Sequence, residues 1–461
     1  MDIDINNVSF CYPGNKEGAL KNFSIHIKQG ECILLTGESG CGKTTVTRLI
    51  NGLIPSFFKG KLTGEVLIDG KEISTIPSYE LSKHVGSVFQ NPRTQFFNVD
   101  TDSEIAFGME NAGVDSLRIN KVLEKVTDEF ELYNLRGRDI FELSGGEKQK
   151  IAFAGIYAVS PDIYVLDEPS SNLDREGIDE LYRCLLKVKS EGKTIIIAEH
   201  RLYYLTELAD RVIFKENGEI RDTYRQEEFA AFSADELANL GLRTNRRKEP
   251  LVMKNVSNEY NNQSLRFQNL SLYRNKKLLQ DDLNLGIHPG EIWGFIGKNG
   301  VGKTTLLRTI SGLHKEYKGN ILINGRRMTQ KELKRKAYMV MQDVNYQLFA
   351  DSVEEECVLG INANADEIQS VLERLNLKKY KERHPNTLSG GQKQRLAVAV
   401  SMLCKKEILL FDEPTSGLDY KSMLRMSELI TEMSRMNKYI IIVSHDEEFL
   451  NKCCTGICYI K

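Results

Sequence analysis

The sequence predicts an α/β fold built twice in tandem, and three observations carry that expectation. Phrases from the first half return in the second half in unbroken order. A short apolar strand runs directly into a glycine-rich turn and then into a helical stretch, once in each half. Other strand-like runs are apolar at every position rather than alternating, which suits parallel strands covered on both faces.

The repeat is the first of these. "GESGCGKTT" at 37–45 returns as "GKNGVGKTT" at 297–305, and "VFQNPRTQFF" at 88–97 returns as "VMQDVNYQLF" at 340–349. "LSGGEKQK" returns as "LSGGQKQR", "VLDEPSSNLD" as "LFDEPTSGLD", and "IIIAEH" as "IIVSHD". The offset is 260 residues at the glycine loop, 252 at the glutamine, and 245 from "LSGG" onward. A constant offset over the later phrases gives the second half of each copy one size. Two domains of one kind are therefore expected at 1–222 and 263–461, joined by a linker over 223–262. Within that linker "SADELANLGL" reads as one short helix. The run from Arg243 to Lys248 reads as a solvated basic stretch.

Composition is that of an ordinary globular chain, with 41% apolar and 27% charged residues. A formal net charge of −2 gives no basic footprint of the kind nucleic-acid binders carry. No apolar run approaches 18 residues, so no transmembrane helix is expected. "MDIDINNVSF" has neither the basic segment nor the apolar core of a secretory signal, and a cytoplasmic protein is expected. Of nine cysteines, only Cys453, Cys454 and Cys458 cluster. They fall in a strand-like terminal run and read as buried thiols rather than as zinc ligands.

The glycine loops carry the first chemistry. "ECILLTG" is a buried strand that leads into the loop, with a helix beginning near Lys43. Glycines there leave backbone N–H groups free to converge on an anion, and the helix start adds partial positive charge. Lys43 and Lys303 are placed to hold β- and γ-phosphates, while Thr44 and Thr304 offer a hydroxyl to magnesium. "DIYVLDEP" ends its strand on two carboxylates, at the strand end where open parallel sheets gather their ligands. Asp167 and Asp412 are expected to face the metal, with Glu168 and Glu413 where an attacking water needs a base. Gln90 and Gln342 follow further strands, and His200 and His445 close strands at a fixed distance from the carboxylate pair, where they would reach the γ-phosphate side. The remaining histidines, His26, His84, His288, His314 and His384, read as structural.

Taken together, the glycine loop, the glutamine, "LSGG", the "DE" strand and the closing histidine resemble the ATP-binding cassette ATPases over both halves of the chain. The resemblance implies P-loop NTPase domains, each with a mainly parallel core sheet, an antiparallel β subdomain and an α-helical signature subdomain. It implies that ATP and Mg2+ are bound by Gly37, Glu38, Ser39, Gly40, Cys41, Gly42, Lys43, Thr44 and Thr45. The second loop supplies Gly297, Lys298, Asn299, Gly300, Val301, Gly302, Lys303, Thr304 and Thr305. Gln90 and Gln342 join the metal residues Thr44, Thr304, Asp167 and Asp412, while His200 and His445 act beside the catalytic Glu168 and Glu413.

The resemblance also accounts for the duplicated signature. Ser144, Gly145 and Gly146 present N–H groups to a phosphate held by the other domain's lysine, Lys303. Ser389, Gly390 and Gly391 do the same for Lys43. An intramolecular head-to-tail pseudo-dimer is thus implied, with both sites active because both keep their glutamate. Tyr12 fits the aromatic that stacks on adenine. In the second half Arg274 stands opposite it, with Tyr273 one place earlier.

"FQNPRTQFFNVDTDSEIAFGMEN" and "GLIPSFFKGKLTGEV" resemble the ATPases of energy-coupling factor importers of vitamins and transition-metal ions. That implies integral membrane partners, a coupling protein and a substrate-binding subunit, and a place on the cytoplasmic face of the membrane. Phe96, Phe97, Tyr346 and Phe349 are the candidate contacts. Two alternatives stand beside it: a soluble tandem cassette acting on ribosome or DNA, and the ATPase of another transporter class. The former usually shows a long charged helical linker, inserted coiled coils or zinc-binding cysteine pairs, none of which the sequence displays.

Overall fold

The computed structural model describes residues 1–14, 18–90, 92–171, 173–247, 264–361 and 363–460. The chain divides into two compact units, Met1–Arg247 and Lys248–Lys461.

In the first unit four parallel strands form the heart of a sheet, in the order Cys32–Gly37, Thr194–Ala198, Ile163–Asp167, Val85–Val88. The first three are buried at every residue, as continuous apolar runs require. Arg211–Glu216 adds to the other side of Cys32–Gly37 in parallel, and Glu219–Arg225 follows it as a hairpin partner. Register decides where the chemistry gathers. Leu35 and Asp167 both pair with Ala198, so the glycine loop, the carboxylate pair and His200 leave the sheet at one edge. The second unit repeats this: Phe295 and Asp412 both pair with Val443. Its strand order is Ala337–Val340, Ile408–Asp412, Tyr439–Val443, Ile292–Ile296, Gly456–Tyr459.

Each unit also carries a four-stranded antiparallel sheet. Ile3–Cys11 lies between Leu20–Ile27 and Lys61–Ile68, and Leu265–Arg274 lies between Lys277–Ile287 and Tyr317–Ile323. A helical layer completes each unit, with Thr101–Asn111, Ser116–Glu129 and Gly145–Val159 in the first and Val353–Val358, Ala365–Arg374 and Gly390–Leu403 in the second. The first layer packs around Phe130, whose ring meets Tyr157 edge-on at 4.7 Å and Phe153 at 5.8 Å. The expected two-fold α/β architecture is present.

Three expectations are corrected. The linker does not begin at 223. Glu219–Arg225 is a strand, and helices Gln226–Ala231 and Ala234–Asn239 follow it. The helices bury Phe229 and Leu237 in the first unit's core, and Leu242 just beyond them joins it. The basic run is not solvated at its start either. Arg243, Thr244 and Asn245 are buried, and the Asn245 amide donates 2.7 Å to the Phe229 carbonyl, so the chain is tied down as far as the ion pair of Arg247 with Asp179. Lys248 and residues 249–262 lie outside the described residues. Finally, Cys453 ends the helix Glu447–Cys453, and only Cys458 lies in the terminal strand Gly456–Tyr459.

Candidate nucleotide site

The glycine loop is shaped by contacts that tolerate no side chain. A Cβ on Gly42 would stand 2.2 Å from the Ala19 carbonyl oxygen, and one on Gly37 would stand 2.1 Å from that of Lys215. Gly42 and Gly302 are the N-caps of the loop helices, at φ 93° and 103°, and neither helix has a side-chain cap. The orphan N–H groups of the first turn are thus left for an anion. By contrast the helices starting at Thr101, Ser116 and Arg175 are capped by Asp100, Asp115 and Asp174. Lys43 and Lys303 are buried and fold back over their loops. Lys43 Nζ donates to the Gly37 and Glu38 carbonyls at 3.0 and 3.1 Å, and Lys303 Nζ to those of Gly297 and Lys298 at 2.6 and 2.8 Å.

Next to each lysine stands a hydroxyl–carboxylate pair. Thr44 Oγ1 donates to Asp167 at 3.1 Å, and Thr304 Oγ1 to Asp412 at 2.9 Å. Hard oxygen ligands of this kind suit a magnesium ion, so the residues present fit the metal. Burial pushes both aspartates up, and the threonine hydroxyls oppose the shift.

The glutamates one residue on are held in an unusual backbone state, φ 46° at Glu168 and 48° at Glu413. Such a conformation costs a non-glycine residue about 1–3 kcal/mol and persists where the surroundings fix it. Here the fixing bonds are Glu168 N–H to the Ala198 carbonyl and Glu413 N–H to the Val443 carbonyl, each 2.8 Å. From this backbone each carboxylate reaches the histidine that follows the neighbouring strand. Glu168 meets His200 at 3.5 Å and accepts from the Gln90 amide at 2.5 Å. Glu413 meets His445 at 3.5 Å and accepts from the Ser444 hydroxyl at 3.2 Å. Burial pushes Glu168 up to about 8, and a carboxylate poised near neutrality is an effective proton acceptor. Each unit therefore brings together Lys, Thr, Asp, Glu and His at one sheet edge, with Gln90 joined to the cluster in the first.

Tyr12 lies against the loop helix. Its hydroxyl is 3.4 Å from Thr45 Oγ1 and accepts from Arg48 at 3.0 Å, while its ring meets Phe10 edge-on at 4.8 Å. In the second unit Tyr273 is half-buried, with Lys318 over its ring at 5.2 Å, and Arg274 is exposed.

Both signature helices begin in a capping box. Ser144 Oγ accepts from Glu147 N at 3.3 Å, and Glu147 Oε2 returns a bond to Ser144 N at 2.7 Å. Ser389 and Gln392 repeat this at 3.4 and 2.9 Å. Glu147 and Gln392 are thus equivalent as caps. They differ in charge, and Arg138 lies 3.3 Å from Glu147.

Of the candidate partner contacts, Phe97, Tyr346 and Phe349 are exposed at 75%, 66% and 73%, whereas Phe96 packs on the first unit's core. Tyr346 and Phe349 line a cleft of about 650 Å³ with Leu359, Ile361 and Lys405. Sequence reasoning missed two residues that shape this surface. Buried Glu104 accepts from the N–H groups of Phe97 and Asn98 at 3.0 and 2.8 Å, and buried Glu356 accepts from those of Phe349 and Ala350 at 2.7 and 2.8 Å. The sequence signal was present, an acidic residue at the same place in both helix starts.

Comparison with known proteins agrees with this geometry. A family model described as "ABC transporter" matches residues 20–171 and 280–416. A Treponema denticola protein named as an ABC transporter ATP-binding protein is 49% identical, over 99% of this chain and 94% of its own length. A Bacillus subtilis protein named as an HMP/thiamine import ATP-binding protein is 28% identical, over 99% of this chain and 89% of its own length. Among solved structures, an archaeal ribosome recycling factor in complex with a ribosomal stalk protein matches with a TM-score of 0.64 and 21% identity. That match covers 98% of this chain and 87% of that one, and it speaks to the fold alone.

Proposed function

This chain belongs to the ABC transporter family and is an ATPase, and from that premise we propose that it powers a membrane importer of a small nutrient through two composite ATP sites. The observation that carries the reading is the doubled site. Each unit keeps a glutamate against a histidine at 3.5 Å, beside a lysine-filled glycine loop and a threonine–aspartate pair.

In this reading Lys43 and Lys303 hold the β- and γ-phosphates, and the uncapped loop helices add their N–H groups. Thr44 with Asp167, and Thr304 with Asp412, would hold magnesium, together with Gln90 and Gln342. Magnesium, when bound, spreads the charge of the transferring phosphoryl group. Glu168 and Glu413 orient the attacking water and take its proton, while His200 and His445 fix the carboxylates and face the γ-phosphate. Ser144 to Glu147 close over the site at Lys303, and Ser389 to Gln392 over the site at Lys43. Fusing both halves gives each signature a high effective concentration at its target.

The nutrient-import reading is supported by the exposed aromatics Phe97, Tyr346 and Phe349 and by the HMP/thiamine import in the name of the Bacillus subtilis relative. The partners are integral membrane subunits, with this chain on the cytoplasmic face. Among the described residues no helix is long and apolar enough to cross a membrane.

Glu168→Gln with Glu413→Gln tests the mechanism. Removing a general base costs about 10²–10⁴ in rate, so the double variant should retain ATP while phosphate release falls by that factor. Turnover at the unaltered rate would remove both glutamates from the chemistry. Co-purification from membranes with an apolar subunit tests the partner, and co-sedimentation with ribosomes instead would point to the soluble alternative.

A further inference from the structure

Beneath the first glycine loop lies a cation that neither the repeat nor the nucleotide motifs anticipate. Lys215, on the strand Arg211–Glu216, has no exposed surface. Its Nζ lies 4.2 Å from the centre of the Phe23 ring and 3.4 Å from the Gly42 carbonyl oxygen. That same carbonyl accepts the first bond of the loop helix, from Val46 N at 3.2 Å.

The second unit supplies an internal control. A Cβ on Gly37 would meet Lys215 O at 2.1 Å and Cys41 Sγ at 2.9 Å. A Cβ on Gly297 would meet Ile460 O at 2.5 Å and Val301 Cγ2 at 3.1 Å. Ile460 is thus the counterpart of Lys215, and Val301 that of Cys41. Where the first unit buries an amine and a thiol under its loop, the second has a buried isoleucine and a half-buried valine. The scaffold closes well with isoleucine, so it does not need a cation there. Burying an ammonium is costly unless it is compensated.

We propose that Lys215 is a positioning residue of the first nucleotide site, a second buried cation that holds the Gly42 carbonyl under the phosphates and gives this site a pH-dependent hold on triphosphate that the second site lacks. The inference rests on the reading of both loops as nucleotide sites. The groups that face the amine are the Cys41 thiol and Lys43 ammonium of the loop, the Gly42 carbonyl, and the Phe23 ring of the strand Leu20–Ile27. Burial first, and Lys43 after it, push the amine down to about 7, with Cys41 working the other way. Phosphates held at Lys43 Nζ remove the opposition between the two ammonium groups and favour the charged form of Lys215. Binding above pH about 7 therefore takes up a proton, and first-site affinity falls as pH rises through that range.

Photolabelling of the full chain with azido-ATP and magnesium, followed by peptide mapping of the two loops, reads each site separately between pH about 6.5 and 9. Lys215→Met should raise half-saturation at the first loop by about tenfold, the size of a lost charge-assisted contact. It should also flatten the first loop's pH response and leave the second loop unchanged. Lys215→Arg, charged throughout, should keep affinity at the first loop and lose its pH response. An unchanged first-loop response in either variant overturns the proposal, as do equal losses at both loops. Should Lys215→Met fail to fold, the pH response of Lys215→Arg decides alone. Absence of label at both loops in the unaltered chain strikes the nucleotide-site reading itself.

Discussion

A buried amine that gives up its proton leaves a mark on stability as well as on binding. Burial pushes Lys215 down to about 7 in the folded chain, against about 10.4 for an unperturbed lysine. Between these values the unfolded chain holds a proton that the folded chain lacks. Stability therefore rises with pH across that window, by at most about 1.4 kcal/mol per pH unit for one proton. Below 7 both states are charged and the contribution is flat. Urea unfolding at several pH values should show this rise in the unaltered chain and lose it in Lys215→Met. Parallel curves for the two would mean that the amine stays charged when folded. Nothing in the sequence marks Lys215, because a lone basic residue near a strand end ordinarily reads as exposed. The strained φ of Glu168 and Glu413 is equally invisible there, since "DEP" carries no glycine to announce a left-handed residue. Lys43 was legible from the glycine loop that precedes it, and Asp167, Glu168 and His200 from their places at strand ends.

Elements are where the sequence reading went furthest and also where it slipped. Continuous apolar runs marked the parallel strands, and the strand–glycine loop–helix order marked both loops. The segment after 222 falls outside the repeated phrases, so the repeat alone assigns it to a linker. Its larger apolar side chains pack on the core: Phe229, with no exposed surface, packs with Phe232 and Tyr224. Phe229→Ala should accordingly lower the stability of the first unit by about 3–5 kcal/mol, as for other buried phenylalanines. A loss below about 0.5 kcal/mol, as at a surface site, would return the segment to a linker. The signature helix offers a second comparison. Ser144→Ala removes an N-cap worth about 1 kcal/mol, whereas loss of a phosphate-facing hydroxyl acts on turnover. Urea unfolding and phosphate release measured together separate these two roles.

At the scale of the whole molecule, the decisive clue was arithmetic: one offset of 245 residues links the signatures, the carboxylate pairs and the closing histidines. With the roles proposed above, the chain holds two sites for the same chemistry, and the proposed exchange of signatures says which residues serve which site. Ser389→Arg places a bulky cation at the cap of the second signature. If signatures act in trans, the variant should lose hydrolysis at the loop of Lys43 while the loop of Lys303, served by Ser144, continues. Vanadate trapping of azido-nucleotide, mapped to the two loops, distinguishes them. Trapping should vanish from the first loop and persist at the second, with the total rate falling to about half if the sites act independently, and further if they are coupled. Loss confined to the loop of Lys303 would show that each signature serves its own unit, and the head-to-tail arrangement would have to be abandoned.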